Sequence, residues 1–256
     1  MPRALWTGAS GMAAQQVNVD LIANNIANVN TTGFKRQRAN FQDLYYDIAV
    51  APGTRAGDLG TNPTGTQIGT GVKLSGTPRI FTTGSVEVTG SQTDMAIDGE
   101  GFFRVTLPDG TTNAYTRAGD FRFDSAGNLV TPDGYLTGVQ GFDPALGPVA
   151  VATDGVVSQN GAQIGQLNLT RFANPAGLTA IGRNLFVESQ GSGQAVEVTP
   201  GTNGMGTIRS GALEKANVEV VTELVNLIVA QRAFEANSKS IKTSDDMLRT
   251  ANEIIR

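Results

Sequence analysis

Three carboxylates fall within seven residues at Asp94, Asp98 and Glu100, the side chains an acid/base pair of a glycoside hydrolase would use. Their setting argues against it: Met95-Ala96-Ile97 leads into Gly99-Glu100-Gly101 and reads as a strand entering a hairpin. A second set, Asp120, Asp124, Asn128 and Asp133, offers the oxygen donors that calcium takes. It lacks the spacing, the central Gly and the closing Glu of an EF-hand loop. Gly69-Thr70-Gly71 and Gly99-Glu100-Gly101 have no helix after them, and no Gly-Lys-Ser/Thr sequence occurs, so neither is a phosphate cradle. The chain has no His and no Cys, which removes zinc fingers, thiolate nucleophiles, disulfides and every scheme built on an imidazole. No enzyme activity, cofactor or metal is expected.

The remaining candidates are helix surfaces. Ala212 to Arg256 contains neither Gly nor Pro and is rich in good helix formers. An apolar residue recurs every seven positions: Val220, Leu227, Phe234, Ile241, Leu248 and Ile255. That period marks the seam of a helix packed lengthwise on a partner. A second row, four residues on, begins apolar and turns polar: Leu224, Gln231, Ser238, Asp245, Asn252. One continuous helix here would span about 68 Å. A compact domain of this chain length has a diameter of only about 47 Å. The helix therefore needs a partner beyond the chain's own globule.

A second helix is expected over Arg3–Val29, with Leu5, Met12, Val19 and Ile26 on one row. Between Ala4 and Phe34 the only charge is Asp20, and amides such as Asn24, Asn25 and Asn28 stand where Lys and Glu usually do. A solvent-facing helix normally carries charge on its outer face. Two readings stand: an ordinary amphipathic core helix, or a helix buried on several sides and ordered on assembly, which the weakening Gly8 and Gly11 would suit. A cleaved secretory signal fits poorly, because amides interrupt the apolar stretch. Gly33 is suited to a left-handed cap. The adjoining Phe34-Lys35-Arg36-Gln37-Arg38 reads as a solvated face or as an intersubunit contact to acidic residues.

From Ala51 to Thr70 the composition turns to Gly, Pro, Thr and Asn, with Leu59 and Ile68 isolated. Such a stretch is either a flexible linker or an arm that orders against a neighbour. Val72 to Arg209 reads as antiparallel β. Short alternating runs are separated by Asp-Gly pairs at Asp98-Gly99, Asp109-Gly110, Asp133-Gly134 and Asp154-Gly155. The expected fold is α+β. Residues 1–45 and 211–256 would pair as a discontinuous, coiled-coil-like helical domain, 46–71 would form the extended arm, and 72–210 a central antiparallel β domain. A net charge of −4 with 16% charged residues argues against nucleic acid and against a basic membrane contact. No apolar run approaches the roughly 20 residues that insertion into a membrane needs.

Leu21-Ile22-Ala23-Asn24-Asn25-Ile26-Ala27-Asn28-Val29-Asn30-Thr31-Thr32-Gly33-Phe34-Lys35-Arg36 resembles the N-terminal signature of bacterial flagellar rod and hook proteins. Met95 to Phe103, with Tyr115 to Phe121, resembles their shared β-domain motif, and Asn217–Asn226 with Gln231–Lys239 resembles their C-terminal motif. The three lie in the family's order across nearly the whole chain. Chain length, the arm after Tyr45-Tyr46, and Gln67-Ile68-Gly69-Thr70-Gly71-Val72 favour a rod member over the longer hook subunit.

The resemblance implies a structural, torque-transmitting subunit of the distal part of the rod, which self-assembles into a rigid hollow helical tube. The terminal helices would form the inner wall. Implied partners are further copies, proximal rod proteins, the hook protein, the periplasmic and outer-membrane ring proteins, and the flagellar type III export apparatus. The implied location is the basal body, where the rod crosses the periplasm to the outer membrane. The rows from Leu5 and Val220, with Leu224, Gln231 and the amides, would be the assembly interface. The arm, with Tyr46, Pro52, Leu59, Pro63 and Gln67, would confer rigidity. The competing class, a non-catalytic β-domain binding module, calls for a charged outer face on the first helix, which is missing.

Overall fold

A computed structural model describes residues 3–54, 62–143 and 146–254. Leu59 and Ile255 lie outside the described residues. The chain is α+β, with one long helix near each end and an antiparallel β region between them. It divides into two compact units, one made of residues 1–26, 37–78 and 220–256, the other of 27–36 and 79–219.

The first unit holds both helices. α1 runs Arg3–Ala27 and carries only Arg3 and Asp20 as charged residues. A two-stranded ribbon comes next. Its strands are β1 (Asn40–Asp43), β2 (Tyr46–Val50), β3 (Thr66–Gly69) and β4 (Val72–Gly76), with β1 on β4 and β2 on β3, both pairs antiparallel. The Gly/Pro-rich stretch read as a linker or arm is therefore built on a hairpin. Its strands are only four or five residues long, too short to give a clear period-two signal.

The second unit is nearly all β. In chain order its strands are β5 (Val86–Val88), β6 (Met95–Asp98), β7 (Phe102–Thr106), β8 (Asn113–Thr116), β9 (Arg122–Phe123) and β10 (Leu129–Val130). β11 (Val149–Val151), β12 (Val156–Gln159), β13 (Ala162–Gln166) and β14 (Leu169–Arg171) come next. The last five are β15 (Thr179–Gly182), β16 (Leu185–Val187), β17 (Val196–Val198), β18 (Thr207–Ser210) and β19 (Ala212–Glu214). α2 then covers Val220–Ile254 and belongs to the first unit.

The main sheet has the order β15-β16-β8-β7-β14-β17. Adjacent residues of a strand point to opposite faces, so Phe102 and Phe103 on β7 enter two different cores. Phe103 packs with Met95, Ile97, Phe121, Leu169 and Ile208 on one face. Its ring meets Phe121 edge-on at 5.1 Å. Phe102 packs with Tyr115, Phe172 and Phe186 on the other. Both faces of the sheet's centre are thus covered by apolar side chains, while its edge strands β15 and β17 are largely exposed.

The cationic cluster after the first helix is neither a solvated face nor an intersubunit patch at its centre. Lys35 is fully buried, and its Nζ lies 2.5 Å from Glu214 Oε1. Arg117 Nη1 reaches Glu214 Oε2 at 3.4 Å and donates through Nη2 to the Gly99 carbonyl at 2.8 Å. Burial pushes the Lys35 amine below its ordinary pKa, while the adjacent Glu214 carboxylate works in the opposite direction. Arg117 is lowered for the same first reason. Sequence could not reveal this pairing because the partners stand 179 residues apart.

The same carboxylate explains why the last helix starts late. The sequence pattern is compatible with helix from Ala212, yet Ala212–Glu214 pairs with β5 and the helix begins at Val220. Helix at these three residues would forfeit that ladder and withdraw the carboxylate that sits between Lys35 and Arg117. At 35 residues, α2 spans about 52 Å.

Candidate assembly site

Of the carboxylates that open the chemical question, Asp94 and Asp120 stand opposite each other across an isolated β-bridge. Asp94 accepts a hydrogen bond from the Thr89 hydroxyl at 2.6 Å, and Glu100 lies 4.0 Å from Arg171. Asp124 accepts the Asn128 backbone N–H at 2.8 Å and its side-chain amide at 2.9 Å, which holds its carboxyl below the usual range. Among the described residues no acidic group gathers in a way that could hold a metal.

The helices have more to offer. Leu5, Met12, Val19 and Ile26 are all half-buried along α1, whereas Ala14, Ile22 and Asn25 are buried. A Cβ at Gly8 would stand 2.9 Å from Ile241 Cγ1, and one at Gly11 would stand 2.8 Å from Asn237 Nδ2. The glycines therefore leave room for Ile241 and Asn237, whose side chains would have to shift to admit even a Cβ. Further along, Asn25 Nδ2 lies 3.5 Å from Glu223 Oε2. Contacts that pair residue 8 with 241, 11 with 237 and 25 with 223 require the two helices to run antiparallel.

Asn25 has a second task. Its side chain exchanges two hydrogen bonds with the Gln37 backbone, accepting from the N–H and donating to the carbonyl, each at 2.9 Å. Of the other amides, Asn24 is exposed and Asn28 is half-buried, with its Oδ1 accepting from the Thr31 hydroxyl at 3.2 Å.

On the apolar row of α2, Leu227 and Ile241 are half-buried, and the companion row is Glu223, Ala230, Asn237 and Ser244. Sequence reading overlooks that companion because it is small or polar and carries no hydrophobic period. The missing side chains of Gly8 and Gly11 opposite are the available signal. Leu224 and Gln231 are exposed in the single chain, as are Val220, Phe234 and Leu248. Val221, Val225, Ile228 and Val229 are each more than half exposed. The first ten residues of α2 contain Glu223 as their only charge, while Arg232 to Glu253 carries eight. Apolar surface is thus concentrated on the early turns, with nothing among the described residues covering it.

The ribbon also presents apolar side chains. Tyr45, Tyr46, Ile48 and Ile68 are exposed, as are Pro52, Pro63 and Gln67. Its base lies on α1 of the same unit. Val72 N–H donates to Ser10 Oγ at 3.3 Å, Arg3 forms an ion pair with Asp47, and a Cβ at Gly71 would overlap Ser10 Oγ.

Little charge on α1 and on the early turns of α2, together with the exposed ribbon, gives the first unit apolar surface suited to protein contacts. Comparison with known proteins agrees. The family described as Flagella basal body rod protein matches residues 5–35, the Flagellar hook protein FlgE/F/G D1 domain matches 96–162, and the Flagellar basal body rod FlgEFG protein C-terminal region matches 209–254. The chain is 49% identical to the flagellar basal-body rod protein FlgG of Borreliella burgdorferi, over the whole of both chains. It is 42% identical to that of Bacillus subtilis, over 97% of each. Similarity to the flagellar hook protein FlgE of Helicobacter mustelae reaches 46% but covers 56% of this chain and 31% of the hook protein.

The chain belongs to the flagellar basal-body rod and hook family. End-to-end likeness to the rod members, with only partial likeness to the hook protein, makes it a structural subunit of the distal rod and not an enzyme. Its place is the flagellar basal body, and its partners are further copies and other rod and hook subunits.

Proposed function

We propose that copies of this chain polymerise into a rigid, hollow helical tube that carries torque from the motor to the hook. In this reading α1 and α2 pair as a coiled-coil-like layer of the tube wall. The exposed early turns of α2 and the rows through Leu5 and Val220 are covered by neighbouring subunits. The observation that supports it best is the uncovered surface of Val221, Val225, Ile228 and Val229. Isolated exposed apolar residues are ordinary, but a contiguous patch on a helix with so little charge marks a protein contact. The tube would cross the periplasm to the outer membrane, coaxial with the ring proteins there, after export of the subunit through the flagellar type III apparatus. No helix among the described residues is long and apolar enough to cross a membrane.

The ribbon is the stiffening element in this reading. A two-stranded hairpin is at best marginally stable alone in water, and this one exposes Tyr45, Tyr46, Ile48 and Ile68. Docking it on the next subunit would bury those side chains and lock sliding at every step of the tube. Pro52 and Pro63 restrict the backbone near its tip, so little entropy is lost on docking. Deleting residues 47–66 is expected to leave tube formation intact and to yield bent or supercoiled filaments in negative-stain micrographs. Straight rods of unchanged stiffness would refute the stiffening role. Complete failure to assemble would make the ribbon part of the nucleating contact instead.

A further inference from the structure

We propose that residues 207–218 are a closing strap: the β unit acquires a stable fold only when this segment, the last before α2, is in place. Among the described residues, β18 is the sole sheet partner of β6 and β19 the sole sheet partner of β5. Ile208 on the strap is buried in the main core beside Met95 and Ile97 of β6. Removing the strap therefore bares two ladders and opens one wall of that core.

The polar consequences are larger. Glu214 accepts from Lys35, Arg117 and the Gly84 N–H, the last at 2.8 Å, and its carbonyl accepts the Gly33 N–H at 2.8 Å. Asn217 Oδ1 accepts the Arg36 N–H at 2.8 Å, and its Nδ2 donates to the Ile80 carbonyl at 2.7 Å and the Thr82 hydroxyl at 3.0 Å. The Lys215 N–H donates to the Ser85 carbonyl at 2.8 Å. Ala216 and Val218 pack on Phe34. One twelve-residue segment thus supplies the partners of residues 33–36, 80–88, 95–98 and 117. Without it, two buried cations face each other with no carboxylate between them, an arrangement a folded interior does not sustain.

Order along the chain turns this dependence into timing. Each of these partners precedes the strap, so a chain that emerges N-terminus first holds the whole β unit open until about residue 218. α2 begins at Val220. A folded β unit is therefore never available without the assembly helix directly behind it. The strap licenses folding only for chains that extend to the start of α2.

A protease site placed in the exposed turn at residues 201–204 of the full chain provides the test. The folded chain is cut there, unfolded in denaturant, and separated into fragments 1–204 and 205–256. The expected result is that 1–204 alone shows no cooperative melt by circular dichroism. Adding 205–256 should restore the melt at equimolar saturation. The same fragment carrying Glu214→Gln or Asn217→Ala should restore it with affinity weaker by about thirtyfold or more. A cooperative melt of 1–204 alone would overturn the proposal. So would equal rescue by the substituted fragments, or failure of the unsubstituted fragment to restore the melt.

Discussion

Leu227→Asp and Phe234→Asp are each expected to abolish polymerisation while the β unit keeps its melting temperature. Leu227 is half-buried and Phe234 partly exposed on the apolar row of α2, at the point where the early uncharged turns give way to charged ones. Covering a carboxylate introduced there by a neighbouring subunit, without a counter-charge, costs several kcal/mol. The penalty recurs at every subunit of a tube, so even a modest loss per contact stops growth. Sedimentation and negative-stain microscopy read assembly, and circular dichroism reads the β unit. Normal rods from either variant would show that the row faces away from the subunit contacts.

The second large effect concerns Glu214. Glu214→Gln should lower the stability of the β unit by about 3–5 kcal/mol, since it leaves Lys35 and Arg117 buried without a counter-charge. For a unit of this size that corresponds to a fall of roughly 10 °C in Tm. The amide oxygen can still accept from Lys35 and the Gly84 N–H, but the amide NH2 then faces Arg117 Nη1, so the loss combines the missing charge with one missing hydrogen bond. Converting all three members in Lys35→Met/Arg117→Met/Glu214→Met should recover much of the loss, because apolar groups of similar volume replace a buried charge cluster at little cost. A single substitution with no effect on Tm, or a triple variant worse than the sum of its singles, would contradict this account of the cluster.

The features legible in the sequence are those whose signals are local. The seven-residue row of α2, the amide-rich α1 and the alternating strands around Phe102 and Phe121 are patterns within one segment. The position of Gly33 as a turn residue is legible for the same reason; its φ is +67° and a Cβ there would sit 2.4 Å from Ala118 N. Lys35 is the opposite case. Nothing in its neighbourhood along the chain distinguishes it from Arg36 or Arg38, and only a carboxylate at the far end of the chain determines that it is buried. The start of α2 is hidden similarly, since Ala212–Glu214 is acceptable helix sequence and becomes strand through pairing with Val86–Val88. The row from Glu223 to Asn237 is hidden because its contact is set by the absence of side chains at Gly8 and Gly11, on another helix.

The near absence of charge on α1 and on the first turns of α2 has a consequence for the conditions under which these surfaces can hold together. Over Arg3–Ala27 and Val220–Val229 the charged residues are Arg3, Asp20 and Glu223. Contacts made by such surfaces owe little to Coulomb attraction, so raising ionic strength, which screens exposed charges within about 10 Å at 0.1 M, has little to act on. What holds them is burial of apolar area, and that driving force weakens on cooling. A joint built this way is indifferent to brine and loosens in the cold.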